Sequence, residues 1–417
     1  MSDFVGIDFG TSNTTVGVST AAGEARLLPL EQDHQTLPSA IFFDFASKSA
    51  FCGRAAREHY LAGSEGRYMQ SLKSILGSSL IDEKTRIQSK SMSFADILGV
   101  FFAFLKRKTE AQLGRDVSQI VVGRPVHFVD GDEAADAEAQ RSLEAIARKE
   151  GFRDVAFQYE PIAAALDYEQ RVQREELVLI VDIGGGTSDF SIVRVSPQRS
   201  GAAQRKDDIL ANGGVHIGGT DFDRALSLAR VMPHLGFGSK TADGKRNLPV
   251  HYFYDLATWH SINFLYRKGV TTDLRAVRYE AERRDLVDRL IRVIEDRHGH
   301  TLAIAVEQSK IKLTSELSTN VAVPYPDWET IAATRSDFDK AVGSAVQRVV
   351  ETVQGLLVDA SLKAGDINTI FVTGGSSMVP ILRQGILSLF PNAKIESGNL
   401  LGSVGIGLSL DARRKFS

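Results

Sequence analysis

The sequence is poor in cysteine and has no long apolar run. Its single cysteine, Cys52, cannot form an intramolecular disulfide and has no second thiolate with which to hold a metal, which indicates a reducing compartment. The longest apolar run, residues 97–105, is far shorter than the roughly 20 residues that a membrane-spanning helix needs. The N-terminus also lacks the basic and apolar segments of a signal peptide. We therefore expect a cytoplasmic protein without a membrane partner.

A surplus of charge of either sign is also lacking. The chain has 49 Lys and Arg against 52 Asp and Glu, a net charge of -3, so no nucleic-acid partner is expected. With 417 residues, of which 43% are hydrophobic and 24% charged, it has an ordinary globular composition and room for two or more domains. No exposed apolar loop predicts self-association, so we expect a monomer.

Two segments of the chain share one pattern. The first runs from Phe4 to Asn13 and the second from Leu179 to Asp189. In each, an apolar run rich in Val and Ile ends in an aspartate, passes a glycine-rich bend with hydroxyl side chains, and resumes with β-branched residues. This pattern predicts a β-hairpin. The repetition indicates duplicated lobes, and two such bends facing each other would hold a polyphosphate from both sides.

Glycine-rich turns with hydroxyl side chains occur four times in all. One such turn after a strand is usually an ordinary tight turn, but four of them together favour a shared phosphate site. The third follows on from a glycine-rich turn over residues 213–219, before a helix that we expect Asp221 or Asp223 to open. The four turns are Gly10-Thr11-Ser12, Gly184-Gly185-Gly186-Thr187, Gly218-Gly219-Thr220 and Gly374-Gly375-Ser376.

Helical and strand patterns alternate along the first half of the chain, which is typical of an α/β fold. Ser93 and Asp96 predict a capping box at the start of a helix. Residues 120–122 predict a buried strand and residues 132–150 a second helix. Glu160 precedes a proline that opens the next helix, so its carboxylate either caps that helix or has a catalytic role. The residues alone leave both interpretations open.

Three acidic residues in or beside the glycine turns indicate a metal ion. Asp8, Asp182 and Asp189 would lie close together, and like charges about 4 Å apart at an effective dielectric constant near 20 repel by about 4 kcal/mol. Mg²⁺ relieves such repulsion while it keeps most of its waters and bridges phosphate oxygens. We therefore predict that these carboxylates hold Mg²⁺ through water.

These motifs resemble the nucleotide-binding domain of the seventy-kilodalton heat-shock chaperones, and look most like the short YegD-like branch of that family. Asp8 to Thr11 match the first phosphate motif, Asp182 to Asp189 the second, and residues 157–165 the first connecting motif. Gly374-Gly375-Ser376 match the adenosine motif. The resemblance implies an α/β fold of the actin-like ATPase class, with two ribonuclease H-like duplicated lobes that each carry a core subdomain and a peripheral insertion.

The resemblance also implies a division of the chain into domains. The predicted parts are lobe I over 1–175, with its core at about 1–44 and 115–175 and a peripheral subdomain at about 45–114; lobe II over 176–400, with its core at about 176–230 and 305–400 and a peripheral subdomain at about 231–304; and a closing helix over 401–417 that returns to lobe I.

The resemblance further implies that the cleft binds ATP or ADP with Mg²⁺, with K⁺ as an additional candidate cation. Lys73 falls where the family has a lysine that positions the attacking water, and Glu160 falls on the catalytic acid. Thr187 would contact the γ-phosphate, and Asp182 would act in catalysis as well as in holding the metal. Pro125 matches a proline that relays the nucleotide state between lobes. The implied phosphate-binding residues are Gly10, Thr11, Ser12, Asn13, Gly184, Gly185, Gly186, Thr187, Gly218 and Gly219.

The base pocket departs from the family pattern. Glu307, Lys310 and Thr314 share one helix face, as the family's ribose and adenine contacts do. Where the family has two arginines that sandwich the adenine, this chain has Ile311 and Met378. The loss of cation–π stacking costs about 0.5 to 2 kcal/mol per arginine. We therefore predict weaker nucleotide affinity or relaxed base choice.

The sequence ends at Ser417 without the pattern of a peptide-binding domain. The expected function is that of a chaperone-like, slowly hydrolysing ATPase that acts as a conformational switch on an unknown protein partner. One alternative is a small-molecule, sugar-like kinase with Glu160 as the base. Another is an actin-like filament protein. A third alternative is a sensor that binds ATP and does not hydrolyse it.

Overall fold

The computed structural model describes residues 3–129, 131–169, 172–199, 202, 205–397 and 402–417. The first half of the chain forms eleven of the described strands and four of the described helices. They are β1 (Phe4–Phe9), β2 (Asn13–Ser19), β3 (Ala25–Leu27), β4 (Leu37–Pro38), β5 (Ala40–Asp44), β6 (Ala50–Cys52), α1 (Arg54–Leu61), β7 (Gly66–Gln70), β8 (Lys84–Ile87), β9 (Lys90–Ser93), α2 (Phe94–Leu113), β10 (Gln119–Arg124), α3 (Glu133–Lys149), β11 (Asp154–Tyr159) and α4 (Glu160–Glu169).

The second half of the chain continues in the same mixed order. Its elements are β12 (Glu176–Ile183), β13 (Ser188–Val195), β14 (Ile209–Val215), α5 (Gly219–Leu226), α6 (His251–Ala257), α7 (Ile262–Leu265), α8 (Val270–Glu280), α9 (Arg284–Glu295), α10 (Gly299–Lys312), β15 (Ser318–Val321), β16 (Ile331–Thr334), α11 (Arg335–Asp359), β17 (Thr369–Thr373), α12 (Pro380–Leu387), β18 (Lys394–Ser397) and α13 (Ser403–Phe416). No helix in the described part of the chain has the length and apolarity needed to cross a bilayer.

Two large sheets have the same topology. The first has the strand order β11-β10-β1-β2-β3, and the second the order β14-β13-β12-β17-β18. In each, an antiparallel hairpin (β1 with β2, β12 with β13) occupies the middle and two further strands add in parallel on one side. This repetition confirms the predicted duplicated α/β fold. We name the first sheet with the elements packed on it lobe I, and the second lobe II.

The first sheet has a sixth strand beside the five of its main path. The short strand β4 pairs with the start of β2, through Asn13 with Pro38 and Thr14 with Leu37. Two smaller sheets, β6-β5-β7 and β8-β9, add to lobe I, and buried side chains of both, among them Ile41 and Ile87, join the same apolar core as β1 and α2. The lobe boundaries predicted from the sequence stay predictions, and the one at 400/401 lies outside the described residues.

The helices α4 and α13 pack between the two sheets. Their apolar residues form a shared cluster with Val121 of lobe I and with Val178 and Phe371 of lobe II. The contact is close because α13 is rich in glycine: a Cβ atom at Gly407 would overlap the carbonyl oxygen of Ala163 in α4. The two helices therefore pack backbone to backbone, and their shared apolar cluster joins the lobes.

The predicted helix starts are partly right. Ser93 and Asp96 form the predicted capping box of α2, with the Ser93 side chain accepting from the Asp96 amide. By contrast, α5 begins at Gly219, before both aspartates that were expected to open it, because the Asp221 carboxylate accepts the Gly218 amide at 3.0 Å. The first glycines of the segment 213–219 belong to strand β14.

Candidate active site

A cleft of about 1170 Å³ opens between the lobes. All of the residues predicted for the site line it except Gly218. Gly218 lies directly behind the second glycine turn, because a Cβ atom there would lie 2.6 Å from backbone atoms of Gly185 and Gly186. The sequence motifs, which are spread over most of the chain, therefore meet in one place.

The two glycine hairpins have the same local geometry and touch each other. Gly10 donates its amide to the Asn13 carbonyl at 3.1 Å, and Gly184 donates to the Thr187 carbonyl at 2.9 Å. A Cβ atom at Gly185 would lie 2.5 Å from Ser12 Oγ of the opposite lobe, closer than real side chains approach. The absence of a side chain at Gly185 thus lets the two turns come together.

Each hairpin carries its aspartate at the same position, one residue before the end of the first strand. Asp8 in β1 pairs with Thr15, and Asp182 in β12 pairs with Asp189. Thr187 donates its hydroxyl to Asp189 Oδ2 at 2.8 Å. The carboxylates therefore lie at the base of the cleft, directly below the glycine turns.

Lys73 and Glu160 meet among these carboxylates. Lys73 Nζ donates to Glu160 Oε1 at 2.6 Å, although the residues come from different parts of lobe I. Lys73 lies in a 3₁₀ helix, Leu72–Ile75, that follows Ser71, whose φ of 59° is in the left-handed region. Such a conformation is uncommon for a residue other than glycine and often occurs at functional sites. The conformation of Ser71 turns the chain so that the Lys73 side chain enters the cleft.

The charges in this cluster shift each other's protonation. Burial at the base of the cleft raises the pKa of Asp8 to about 7, and Glu160 adds to the rise while Lys73 opposes it. Burial also raises the pKa of Asp182 to about 8, with further contributions from Asp189 and Asp8. For Lys73 burial lowers the pKa, but Glu160 and Asp8 more than offset this and raise it overall. The cluster has too few cations for its carboxylates.

The donor chemistry of the cluster fits a hydrated magnesium ion. The side chains are carboxylates, which are the ligands that Mg²⁺ prefers. Within the described residues, no group of three His, Cys, Asp or Glu side chains lies close enough to hold a metal directly. Asp8, Asp182 and Asp189 would bind it through water, as the sequence predicts, and its charge would offset the burial and the neighbouring carboxylates that raise their pKa values.

The other end of the cleft is formed by α10 and the turn after β17. Lys310 is buried and donates to the Gly219 carbonyl at 3.1 Å and to Asp223 Oδ2 at 3.0 Å. Burial raises the pKa of Asp223 to about 6, and Lys310 opposes the rise. The Lys310 ammonium is thus held against the glycine turn that contains Gly219.

The predicted base-contacting residues have few free polar groups. Thr314 lies beyond the end of α10, contrary to the helical face predicted for it, and its hydroxyl donates to the Ile311 carbonyl at 2.7 Å. Ser376 donates its hydroxyl to the Gly184 carbonyl at 3.0 Å. Ile311 and Met378 expose 48% and 39% of their surface, so this end of the cleft offers mainly apolar contact.

Close packing around Asp182 also explains the glycine turn after β17. Gly374 has a φ of 81°, and a Cβ atom there would lie 2.7 Å from Asp182 Oδ1. Gly375 begins a 3₁₀ helix, Gly375–Met378. The turn therefore lies directly against the carboxylate cluster and also forms part of the end of the cleft where α10 lies.

Sequence reasoning missed four residues that line or support the cleft. Asp223 and Arg57 line it, and Arg57 Nη2 lies 3.3 Å from Glu307 Oε2 of the other lobe. Trp259 lines it from lobe II. Arg124 holds the turn that contains Pro125, because it donates to the Pro125 carbonyl at 3.0 Å and to Asp136 at 2.6 Å. Only Asp223 had a signal in the sequence, since it follows the third glycine turn.

The duplicated fold and the facing glycine hairpins above a carboxylate cluster define a nucleotide-binding protein of the actin-like ATPase class. The sequence model described as Hsp70 protein matches residues 4–231 and 273–412, most of the chain. The chain therefore belongs to the Hsp70 family, and the resemblance noted from its motifs is confirmed for the nucleotide-binding region.

Curated relatives agree with this assignment. The chain is 28% identical over 416 residues to the chaperone protein DnaK of Thermosipho africanus, covering 98% of this chain and 58% of the relative. It is 27% identical to DnaK of Thermosipho melanesiensis, with 98% and 58% covered, and 27% identical to DnaK of Thermotoga maritima, with 98% and 59% covered. The chain thus spans less than two thirds of the length of these relatives.

Proposed function

We propose that the chain binds ATP and ADP with Mg²⁺ in the cleft, hydrolyses ATP slowly, and works as a nucleotide-driven conformational switch for a protein partner. The observation that carries the proposal is the pair of matching glycine hairpins, one from each lobe, that touch through Gly185 and Ser12 above the carboxylates. A polyphosphate held by both turns would contact both lobes at once.

The residues of the cleft support distinct roles in this reaction. The amides of the two turns and the hydroxyls of Thr11, Ser12 and Thr187 are donors for phosphate oxygens. Lys73, held by Glu160 at 2.6 Å, is the cation that would orient the attacking water and stabilise charge on the γ-phosphate. Mg²⁺ would supply further charge neutralisation when bound, and Asp8 and Asp182 would hold its water ligands.

The switch follows from where these donors lie. Thr11 and Ser12 belong to lobe I and Thr187 to lobe II, so the γ-phosphate would favour a closed arrangement and its loss would weaken it. The DnaK relatives are named chaperones, and a role for this chain in protein quality control is part of the proposal. Its partner would respond to the closed or open arrangement of the lobes.

Calorimetric titration with ATP and single-turnover hydrolysis test the proposal. We expect the wild type to bind ATP in the presence of Mg²⁺ and to hydrolyse it slowly. Lys73→Ala should lower the rate about 10²- to 10⁴-fold, because a positioned catalytic group contributes on that order. Lys312→Ala, which removes an exposed lysine on α10, is the matched control. Absence of ATP binding by the wild type would overturn the proposal, and a rate that rises only with a sugar acceptor would favour a kinase.

A further inference from the structure

The carbonyl groups of the two glycine turns are held from behind by residues outside the hairpins. In lobe I, Ser39 donates its hydroxyl to the Gly10 carbonyl at 2.7 Å and its amide to the Ser12 carbonyl at 3.0 Å. In lobe II, Thr220 donates its hydroxyl to the Gly185 carbonyl at 2.8 Å and its amide to the same oxygen at 2.7 Å. Each lobe thus has one residue that gives two hydrogen bonds to its turn, and we call Ser39 and Thr220 the backing residues.

The neighbouring carbonyl of the turn in lobe II is held in the same way. Gly184 accepts the Gly219 amide at 3.0 Å and the Ser376 hydroxyl, also at 3.0 Å. A carbonyl oxygen has two lone pairs, so two donors at hydrogen-bonding distance use its full capacity. The carbonyls of Gly184 and Gly185 therefore have no lone pair left for a ligand, and a ligand has to meet this turn through other atoms.

The amide side of the same peptide groups faces the cleft. A trans peptide is planar, with its N–H directed away from its C=O, and the described residues contain no cis peptide. The held carbonyls of both turns therefore direct the amides of the next residues forward, which are those of Thr11, Gly185 and Gly186. Among the residues that the structure describes, none accepts a hydrogen bond from these three amides. They are free donors on residues that line the cleft.

The glycines of the turn in lobe II make this support necessary. Gly184, Gly185 and Gly186 lack a Cβ atom, so their peptide groups can rotate into orientations that other residues do not reach. A Cβ atom at Gly186 would meet no atom within 4 Å, so its surroundings leave it room to move. Without hydrogen bonds that hold its carbonyls, the turn would be free to present a carbonyl oxygen to an anion in place of an amide.

Thr220 is itself held in place by Lys310. The Lys310 ammonium, which is buried and paired with Asp223, donates to the Gly219 carbonyl at 3.1 Å. The peptide group that joins Gly219 to Thr220 therefore directs the Thr220 amide away from Lys310 and onto the Gly185 carbonyl. A continuous series of hydrogen bonds thus runs from Lys310 through two peptide groups to an amide in the cleft, and in such a series each bond polarises the next.

We propose that Ser39 and Thr220 are positioning residues: each fixes the peptide groups of one glycine turn so that their amides face the cleft before a phosphate group arrives. This inference rests on the proposed function, because it needs a polyphosphate between the turns. Successive backbone amides that point into one concavity bind anions. Amides that are fixed in advance spare the ligand the cost of ordering the turn, which raises affinity. The same arrangement occurs once in each lobe, on residues that belong to neither hairpin.

Calorimetric titration with ADP and Mg²⁺ tests the role of Thr220, which is exposed, so that its replacement leaves the core intact. Thr220→Val keeps the shape of the side chain and the backbone amide but removes the hydroxyl. It should weaken ADP binding about fivefold, because one hydrogen bond contributes on the order of 1 kcal/mol. Thr220→Ser retains the hydroxyl and should restore the affinity of the wild type. Thr352→Val removes a hydroxyl that donates to the Arg348 carbonyl at 2.9 Å in α11, and as the matched control it should leave the affinity unchanged.

Adenosine separates a positioning role from general damage to the cleft. Because adenosine has no phosphate groups, its affinity, measured by displacement of a fluorescent ADP analogue, should be the same for Thr220→Val and the wild type. Equal loss of affinity for adenosine and for ADP would overturn the role of Thr220. So would ADP binding that Thr220→Val leaves unchanged or that Thr220→Ser does not restore.

Ser39→Ala extends the test to lobe I. It should also weaken the binding of ADP and not of adenosine. Ser39 is buried and its hydroxyl lies 2.9 Å from the Thr14 hydroxyl, so thermal unfolding without nucleotide is measured first to show that the variant is folded. Unchanged ADP binding by the folded variant would overturn the role of Ser39. A wild type that binds no ADP would overturn the proposed function, and the positioning roles with it.

Discussion

Lys73 and the carboxylates around it determine the electrostatics of the cleft. Four acidic side chains, Asp8, Glu160, Asp182 and Asp189, surround a single lysine, and the pKa values of Asp8 and Asp182 rise to about 7 and about 8. The folded protein without a metal therefore retains protons that the unfolded chain releases near pH 4. A cation that enters the site has to displace them.

The first prediction is that binding of Mg²⁺ with ADP releases protons and weakens as the pH falls from 8 to 6. The sign follows because the pKa values of Asp8 and Asp182 are both raised, so the folded state favours their protonated forms. Their contribution to the free energy of unfolding is fully present below about pH 4 and is lost as the pH rises through 7 to 8. Calorimetry at pH 7.5 in two buffers of different ionisation enthalpy measures the protons released.

Asp182→Asn serves as the comparison for this measurement. It removes one of the two carboxyl groups with a raised pKa, while the number of protons that the nucleotide itself releases is unchanged. The wild type should release up to about one proton more than the variant. Equal proton release by the two proteins would mean that Asp182 is already ionised before the metal binds.

Residue roles could be predicted from the sequence only where a short motif carries them. Asp8 and Asp182 follow buried strands directly and precede glycine turns, so their positions are evident from about ten residues. The contact of Lys73 with Glu160 joins residues 87 positions apart and belongs to no periodic pattern. Lys73 itself resembles an ordinary surface lysine in the sequence, and only the family resemblance indicated its role.

At the scale of elements, α10 forms one end of the cleft. Its exposed apolar residue Ile311 falls where the resemblance noted from the sequence implies an arginine in the family. We predict that Ile311→Arg strengthens ATP binding by roughly 0.5 to 2 kcal/mol through stacking on the base, and less so for a nucleotide with a pyrimidine base. Calorimetric titration with ATP and CTP measures this.

Leu317→Arg is the control for this gain, since Leu317 is an exposed apolar residue shortly after the same helix. It adds the same charge outside the cleft-lining set. If both variants gain equally, the effect comes from long-range attraction of the phosphates and not from contact with the base.

The packing of α13 on α4 gives a prediction for stability. Gly407→Ala should lower the free energy of unfolding by about 1 to 3 kcal/mol, because the added Cβ atom would overlap the Ala163 carbonyl and force the helices apart. Urea denaturation measures the change. Gly355→Ala in α11 adds the same atom in open space and should instead stabilise by about 0.5 to 1 kcal/mol. Two changes of the same sign would contradict the packing argument.

Element boundaries were predictable where capping side chains lie next to each other in the sequence. The Ser93 and Asp96 capping box marks the start of α2 correctly. The start of α5 was predicted too late, because Asp221 acts from inside the helix on the Gly218 amide and does not precede it. Thr314 was placed on the face of α10 because periodicity alone cannot show that the helix ends at Lys312.

At the scale of the whole molecule, the two lobes meet at the glycine turns, at α4 with α13, and where α1 contacts α10. A switch needs a partner that distinguishes the arrangements of the lobes. We predict that affinity capture with the tagged wild type yields different bound proteins in ATP, in ADP and without nucleotide. Thr187→Ala and Lys73→Ala should reduce that difference, because each would remove a proposed contact with the γ-phosphate or with its attacking water. Identical partners in all conditions for all three proteins would exclude a switch.

The duplicated fold was largely predictable, and the contacts between lobes were not. Each hairpin is a local pattern, so its repetition is visible in the sequence, and the shared strand order of the two sheets confirms it. The contact of Arg57 with Glu307 joins residues 250 positions apart, and that of Tyr60 with His300 joins residues 240 apart. No local pattern connects such residues, so these contacts between the lobes became evident only from the structure.

The position of α13 has a consequence for how the protein is made. This helix packs on β1 and β2 of lobe I, and Ser19 donates its hydroxyl to the Ser409 carbonyl, 390 residues later in the chain, at 2.7 Å. At a synthesis rate of about 5 to 20 residues per second, roughly 20 to 80 seconds separate the two. Until α13 is synthesised, the sheet of the nascent lobe I lacks the helix that covers one of its faces, so that face stays exposed for much of synthesis.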